Sequence, residues 1–264
     1  IYVREEMAGG CMEALLNNME GYEEQAIFNS RYNYTPSKLL GYFFQMSDDF
    51  YGMVNWEEKT CDFSGELWEK ILRVVKQYGV TDSNRQWEEI AMRVGCGRLH
   101  MFAYDDATAM QGGMVLTGYP TEGGMTHPLY IYGISVNAAS EHKEGAWQFI
   151  RFVLEEENQK LVEKDSRLPV HERTLQEYVK REASEPNGFV NPSVVSSEEA
   201  YVSEEQLERF WECLNNAKPV PRRTEVVLTI IREEAGLYFT GDKTIEEVSD
   251  VIENRVRLYL AEQD

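Results

Sequence analysis

Residues 118–152 constrain this chain most. Gly118-Tyr-Pro-Thr-Glu-Gly-Gly124 is rich in turn formers. It leads into a short apolar strand that carries Tyr130 and Tyr132 on one face. Small residues make a corner at Ala138-Ala-Ser140, and an amphipathic helix follows at once, with Ser140 as its expected N-cap. The spacing predicts that this helix buries Ala146, Phe149, Ile150, Val153 and Leu154. Loop, strand, corner and helix in such close succession specify an α/β arrangement.

The rest of the chain repeats that alternation. Residues 1–50 read as helical, with Ala14, Leu15, Met19 and Tyr22 near a 3.6-residue spacing and a second helix over 38–46. Met53–Trp56 reads as a strand, followed by a turn. A helix capped by Ser64 presents Leu67, Trp68, Ile71, Leu72 and Val75, and Gly79 suits a left-handed C-cap. A helix over 87–94 ends at Gly95-Cys-Gly97. Leu99–Tyr104 is a short apolar run of the kind found in buried parallel strands, and Met114–Thr117 is another strand. Residues 184–200 are the most linker-like. Helices are expected over 174–183, 203–215 and 224–237. The last helix opens on the capping box Thr244-x-x-Glu247 and buries Ile245, Val248, Ile252, Val256 and Tyr259.

Composition narrows the function. A formal charge of −20 argues against nucleic acid and anionic membrane surfaces, which repel a negative protein. No apolar run approaches the roughly 20 residues that span a bilayer. Cys11, Cys61, Cys96 and Cys213 form no CxxC pair and no zinc spacing; one disulfide is possible, but the sequence selects no pairing. His100, His127, His142 and His171 are scattered, so neither a metal site nor a cofactor is expected. The chain opens on Ile1 with no signal peptide and reads as a fragment of a longer polypeptide.

Three blocks, 55–68, 97–152 and 231–260, follow one another in an order that resembles the extracellular solute-binding proteins of ABC transporters, family 1, the sugar-binding type. The resemblance implies a helix-rich α/β fold of the periplasmic-binding-protein type II, with an incomplete first lobe. It implies that 1–132 and 191–264 build the second lobe. Residues 133–190 would form the crossover and a helical piece of the first. It also implies capture of a small solute, a carbohydrate, without catalysis. ABC permease subunits would be the partners, at the outer face of the cell membrane or in the periplasm, with any membrane attachment through an N-terminal lipid anchor outside this chain.

Sugar clefts combine flat apolar faces with carboxylates, amides or Arg. Candidates of those types are Tyr104, Asp105, Asp106, Tyr119, Tyr130, Tyr132, Arg222 and Glu225, with Arg223 and Trp211 weighed beside them. Asp105 and Asp106 are placed at the C-terminal edge of the strand over 99–104, where α/β folds bind ligands. Trp211 on an amphipathic helix suits a core at least as well. Two alternatives remain open. One is a glycan hydrolase using Asp105 or Asp106 with a distant carboxylate such as Glu122, although adjacent strand residues point to opposite faces. The other is a ligand-sensing or structural surface protein on the same fold.

Overall fold

The computed structural model describes residues 2–4, 8–20, 35–79, 92–93, 98–111, 113–121, 124–129, 133–162, 167–189, 200–221 and 224–263. They divide into two units. Unit 1 comprises 1–94, 109–129 and 216–264; unit 2 comprises 95–108 and 130–215.

Unit 1 is a helical core with small sheets at its margins. Its inner helices are α1 (Met12–Glu20), α2 (Pro36–Phe44) and α3 (Glu66–Tyr78), joined by α9 (Glu225–Thr240) and α10 (Ile245–Ala261). In α2, Thr35 caps the N-terminus by accepting the Lys38 N–H, and Pro36 takes the position where a missing N–H costs nothing. The apolar stripe of α3 buries Trp68, Ile71, Leu72, Val74 and Val75. Trp68 sits beside Phe44 and edge-on to Phe63, and its indole N–H donates to Ser249 Oγ of α10 at 2.8 Å. Each such ring stabilises the unit by roughly 1.5–3 kcal/mol through burial.

The capping box of α10 forms as expected: Thr244 Oγ1 accepts the Glu247 N–H, and the Glu247 carboxylate accepts the Thr244 N–H at 2.8 Å. Val248, Ile252 and Val256 are buried, while Ile245 and Tyr259 pack at the margin. Two other caps differ from expectation. Gly65, not Ser64, caps α3, because the Ser64 hydroxyl bonds the Asp62 carboxylate instead. Gly79 is extended rather than left-handed, whereas Gly241 closes α9 at φ +86°.

The strands are mostly antiparallel, not the parallel set that the sequence suggested. β1 (Tyr2–Arg4), in a region expected to be helical, lies between β4 (Met92–Arg93) and β5 (Met114–Leu116). β4 replaces the end of the helix expected over 87–94, whose first residues lie outside the described ones. β2 (Val54–Asn55) and β3 (Thr60–Cys61) form a hairpin, as do β6 (Tyr119–Thr121) and β7 (Gly124–Leu129). β7 also pairs in parallel with β8 (Ala217–Pro219), in the register His127↔Ala217 and Leu129↔Pro219. The stretch that opened as a turn-rich loop is therefore a hairpin. The chain enters its first strand through Gly118, whose φ of +85° and closeness to the Thr126 carbonyl exclude a Cβ.

Unit 2 holds the start of α4 (Leu99–Gln111), with α5 (Lys143–Leu154), α6 (Glu156–Val162), α7 (Glu172–Ser184) and α8 (Glu204–Asn215). Asn187 donates to the His100 carbonyl at 2.9 Å, and the His100 ring meets the Glu182 carbonyl at 2.6 Å; together they tie α7 to α4. Helix α5 departs from expectation. His142 occupies its N-cap without a side-chain bond, and Ser140 Oγ accepts the His142 N–H instead. None of its residues is buried; Phe149 is 57% exposed and Leu154 is exposed as well. The strand expected around Tyr130 and Tyr132 lies outside the described residues, and 133–137 follows without regular structure.

Candidate ligand-binding site

Leu99–Tyr104 is helical, so Asp105 and Asp106 do not sit at the edge of a parallel strand. Both are buried inside α4. Asp106 is fully buried, and its Oδ2 meets Arg209 Nη2 of α8 at 2.5 Å. Arg209 also bonds Glu205 at 2.6 Å. Burial opposes the Arg209 charge, but the hydrogen bonds to Asp106 and Glu205 together outweigh that cost and hold its pKa above the ordinary arginine value. Gln206 Nε2 donates to the Ala103 carbonyl at 3.0 Å, and Phe102 meets Phe210 edge-on at 5.5 Å. The carboxylate is thus part of an apolar and ionic seam between α4 and α8. Burial beside this seam pushes the Cys213 thiol up to about 11.

The other candidates are dispersed. Tyr104 is half-buried on α4. Tyr119, in unit 1, is 4% exposed, with its ring 6.0 Å from that of Tyr42 on α2. Glu225 is exposed in the first turn of α9, where a carboxylate complements the positive helix end. Trp211 is half-buried against Phe210. Tyr130, Tyr132, Arg222, Arg223, Glu122 and Cys96 lie outside the described residues. Cys11, Cys61 and Cys213 are free thiols, and no metal-binding group of His, Cys, Asp or Glu occurs among the described residues.

A cavity of about 280 Å³ opens in unit 1 between the end of α2 and the β2–β3 hairpin, lined by Asp49, Gly52, Val54, Asn55, Trp56 and Glu57. Phe50, Tyr51 and Gly52 run left-handed in succession, at φ +56°, +59° and +82°. Such a run costs on the order of 1–2 kcal/mol for each non-glycine. It holds because Phe50 is fully buried and the Tyr51 hydroxyl donates to the Phe43 carbonyl at 2.6 Å. Trp56 is fixed by its indole N–H donating to the Asp48 carbonyl at 2.8 Å. Asn55 Oδ1 is occupied by the Glu57 and Glu58 N–H groups. The loop is therefore organised around its own turn. The sequence does not mark this loop, because the left-handed run at 50–52 has no glycine at its first two positions.

Residues 101–160 match the sequence pattern of the bacterial extracellular solute-binding proteins. No curated protein matches the chain by sequence. Among solved structures, the chain is similar to a protein assigned as an oligosaccharide periplasmic-binding protein from Synechococcus sp. MITs9220, in its zinc complex. That likeness has a TM-score of 0.55 at 14% identity and covers 98% of this chain and 70% of the other. The cyclic α-maltosyl-1,6-maltose binding protein of Arthrobacter globiformis is similar at TM-score 0.49 and 13% identity, over 98% of this chain and 66% of that one. The GacH receptor of Streptomyces glaucescens, solved unliganded and with acarbose, gives 0.48 and 17% over 100% and 69%. This chain thus spans about two thirds of the length of the proteins it matches. The fold is that of the periplasmic binding proteins, in a helix-rich form with small sheets.

Proposed function

We propose that this chain is the greater part of the solute-capturing component of an ABC importer, and that the solute is a carbohydrate. The likeness to the Synechococcus protein over 98% of the chain carries the reading, and the solute-binding pattern at 101–160 supports it. On this reading the lobe bounds expected from the sequence shift, since 95–108 and 191–215 group with 130–190 in one unit, and ligand binding closes the lobes about a hinge. The complete protein works in the periplasm or at the outer membrane face, held there by a lipid anchor in the latter case, and delivers its solute to permease subunits. Tyr104, Tyr119, Tyr130 and Tyr132 would supply flat faces, and Asp105, Asp106, Arg222 and Glu225 hydrogen-bonding groups. Glu225 and Tyr104 need the least rearrangement, since Asp105, Asp106 and Tyr119 are buried.

The reading includes no catalysis. A hydrolase needs two carboxylates flanking one bond. Asp106 is instead engaged by Arg209.

Thermal shift of the complete protein against sugars, oligosaccharides, polyols and peptides tests the proposal. A ligand at 100 times its Kd adds about 2.7 kcal/mol of stability, so oligosaccharides are expected to raise Tm by several degrees. A response to peptides with none to any sugar contradicts the carbohydrate assignment.

A further inference from the structure

Arg232 of α9 is a half-buried cation that meets no counter-charge among the described residues. Its guanidinium lies against the backbone of α2 at Gly41, where a Cβ would come within 2.7 Å of Cζ and 2.8 Å of Nε. Gly41 has ordinary helical backbone, so no left-handed turn requires it. Glycine weakens a helix interior relative to alanine, and here it makes room for the guanidinium. Nε is inaccessible to water and has no hydrogen-bond partner. Lys38 stands one turn before Gly41 on the same face of α2. It is exposed, and its ammonium is likewise unpaired among the described residues. By contrast, Arg209 and Arg255 each engage two carboxylates. Acids outnumber bases 46 to 26 in this chain, so two neighbouring cations that meet none of them are out of keeping with the rest. A charge withdrawn from water is costly until something compensates it.

We propose that Arg232, with Lys38 beside it, recognises a carboxylate of the captured solute, and that the carbohydrate is therefore an acidic one bearing a uronate group. The proposal rests on the capture reading above and sharpens its substrate class. A guanidinium presents a planar fork that matches the two oxygens of a carboxylate. Neutral hydroxyls can accept its hydrogen bonds but leave its charge uncompensated. A phosphate dianion calls for more donors than one fork and one ammonium. Position fits the same solute. Glu225, an exposed candidate for sugar hydroxyls, lies seven residues earlier on α9, so the two side chains share one stripe of the helix roughly 10 Å apart. A sugar bonded to Glu225 can extend along that stripe and set its carboxylate on Arg232. The net charge of −20 does not prevent this. Exposed charges farther than about 8 Å are largely screened at physiological ionic strength, and the contact pair decides.

Isothermal titration of the complete protein with galacturonate and glucuronate di- and trisaccharides, each against its methyl ester, tests the proposal. The acid is expected to bind at least about tenfold more tightly than the ester, as a charge-assisted contact implies, and the advantage should shrink as salt rises. Arg232→Met keeps the stem over Gly41 and removes the charge. It should abolish the preference for the acid while leaving Tm unchanged or raised, because no protein partner is lost. An arginine with a purely structural role would lower Tm instead. Gly41→Ala should displace the guanidinium and weaken binding of the acid while sparing the ester. Should those variants not fold, the exposed Lys38→Gln should still reduce the preference severalfold. Equal affinity for acid and ester, tighter binding of sugar phosphates, or a preference that survives Arg232→Met overturns the proposal. Binding of neutral sugars alone overturns it and leaves the capture reading standing, whereas no binding of any carbohydrate overturns both.

Discussion

Arg209 of α8 closes on Asp106 of α4 at 2.5 Å, and the carboxylate it meets is wholly inaccessible to water. An acidic pair that looks like site chemistry in the sequence is thereby half of a structural ion pair. Asp106→Asn leaves the guanidinium with Glu205, whose side chain is largely in water and attracts it weakly. The expected loss is about 2–4 kcal/mol in urea denaturation, as when one partner of a buried pair is removed. Joint replacement by Asp106→Leu and Arg209→Met should recover most of it. A loss below about 0.5 kcal/mol for Asp106→Asn would mean that the seam is not formed.

Gly118→Ala should be among the most damaging single-methyl additions. The new Cβ would lie 2.6 Å from the Thr126 carbonyl oxygen, in backbone at φ +85° that alanine disfavours. Strain of this kind costs on the order of 1–3 kcal/mol before the clash is counted. Thermal denaturation should show a fall of at least several degrees. Gly145→Ala, on the exposed side of α5 with open space at its Cβ, should be neutral or stabilising.

His127 of β7 gives the fold an acid limit. Burial pulls its pKa down to about 4, from an unfolded value of 6.5. The unfolded chain therefore binds more protons between those values. The stabilisation is complete above pH 6.5 and is lost as pH falls toward 4. The ring is only half-buried, so solvent screening limits the effect to on the order of 1 kcal/mol. His127→Gln should remove this contribution, so the wild type should lose more stability than the variant between pH 6.5 and 4.5. Parallel curves for the two proteins would exclude His127 as the source.

Elements whose signals are local were legible in the sequence. Helix α10 announces itself by Thr244, Glu247 and the stripe Val248, Ile252 and Val256, and α3 by Trp68, Ile71, Leu72 and Val75. Helix α4 was misread because its buried positions, Leu99, Phe102, Ala103 and Asp106, follow helical spacing only if an aspartate counts as interior. What makes Asp106 interior is Arg209, 103 residues away. β1 forms through two distant partners and has no local signature. The stripe of α5 was legible, but its burial was not, since burial depends on what lies opposite. The candidate site was the least legible. Tyr119 has the chemistry of a sugar platform, yet Tyr42 and the α2 core decide that its ring is interior.

Isothermal titration of the complete protein with the oligosaccharide that gives the largest thermal shift tests the central claim most directly. The account predicts saturable, one-to-one binding heat, with the sugar recovered intact afterwards. Absence of binding heat across the whole carbohydrate panel, or turnover of the sugar in the cell, would contradict it.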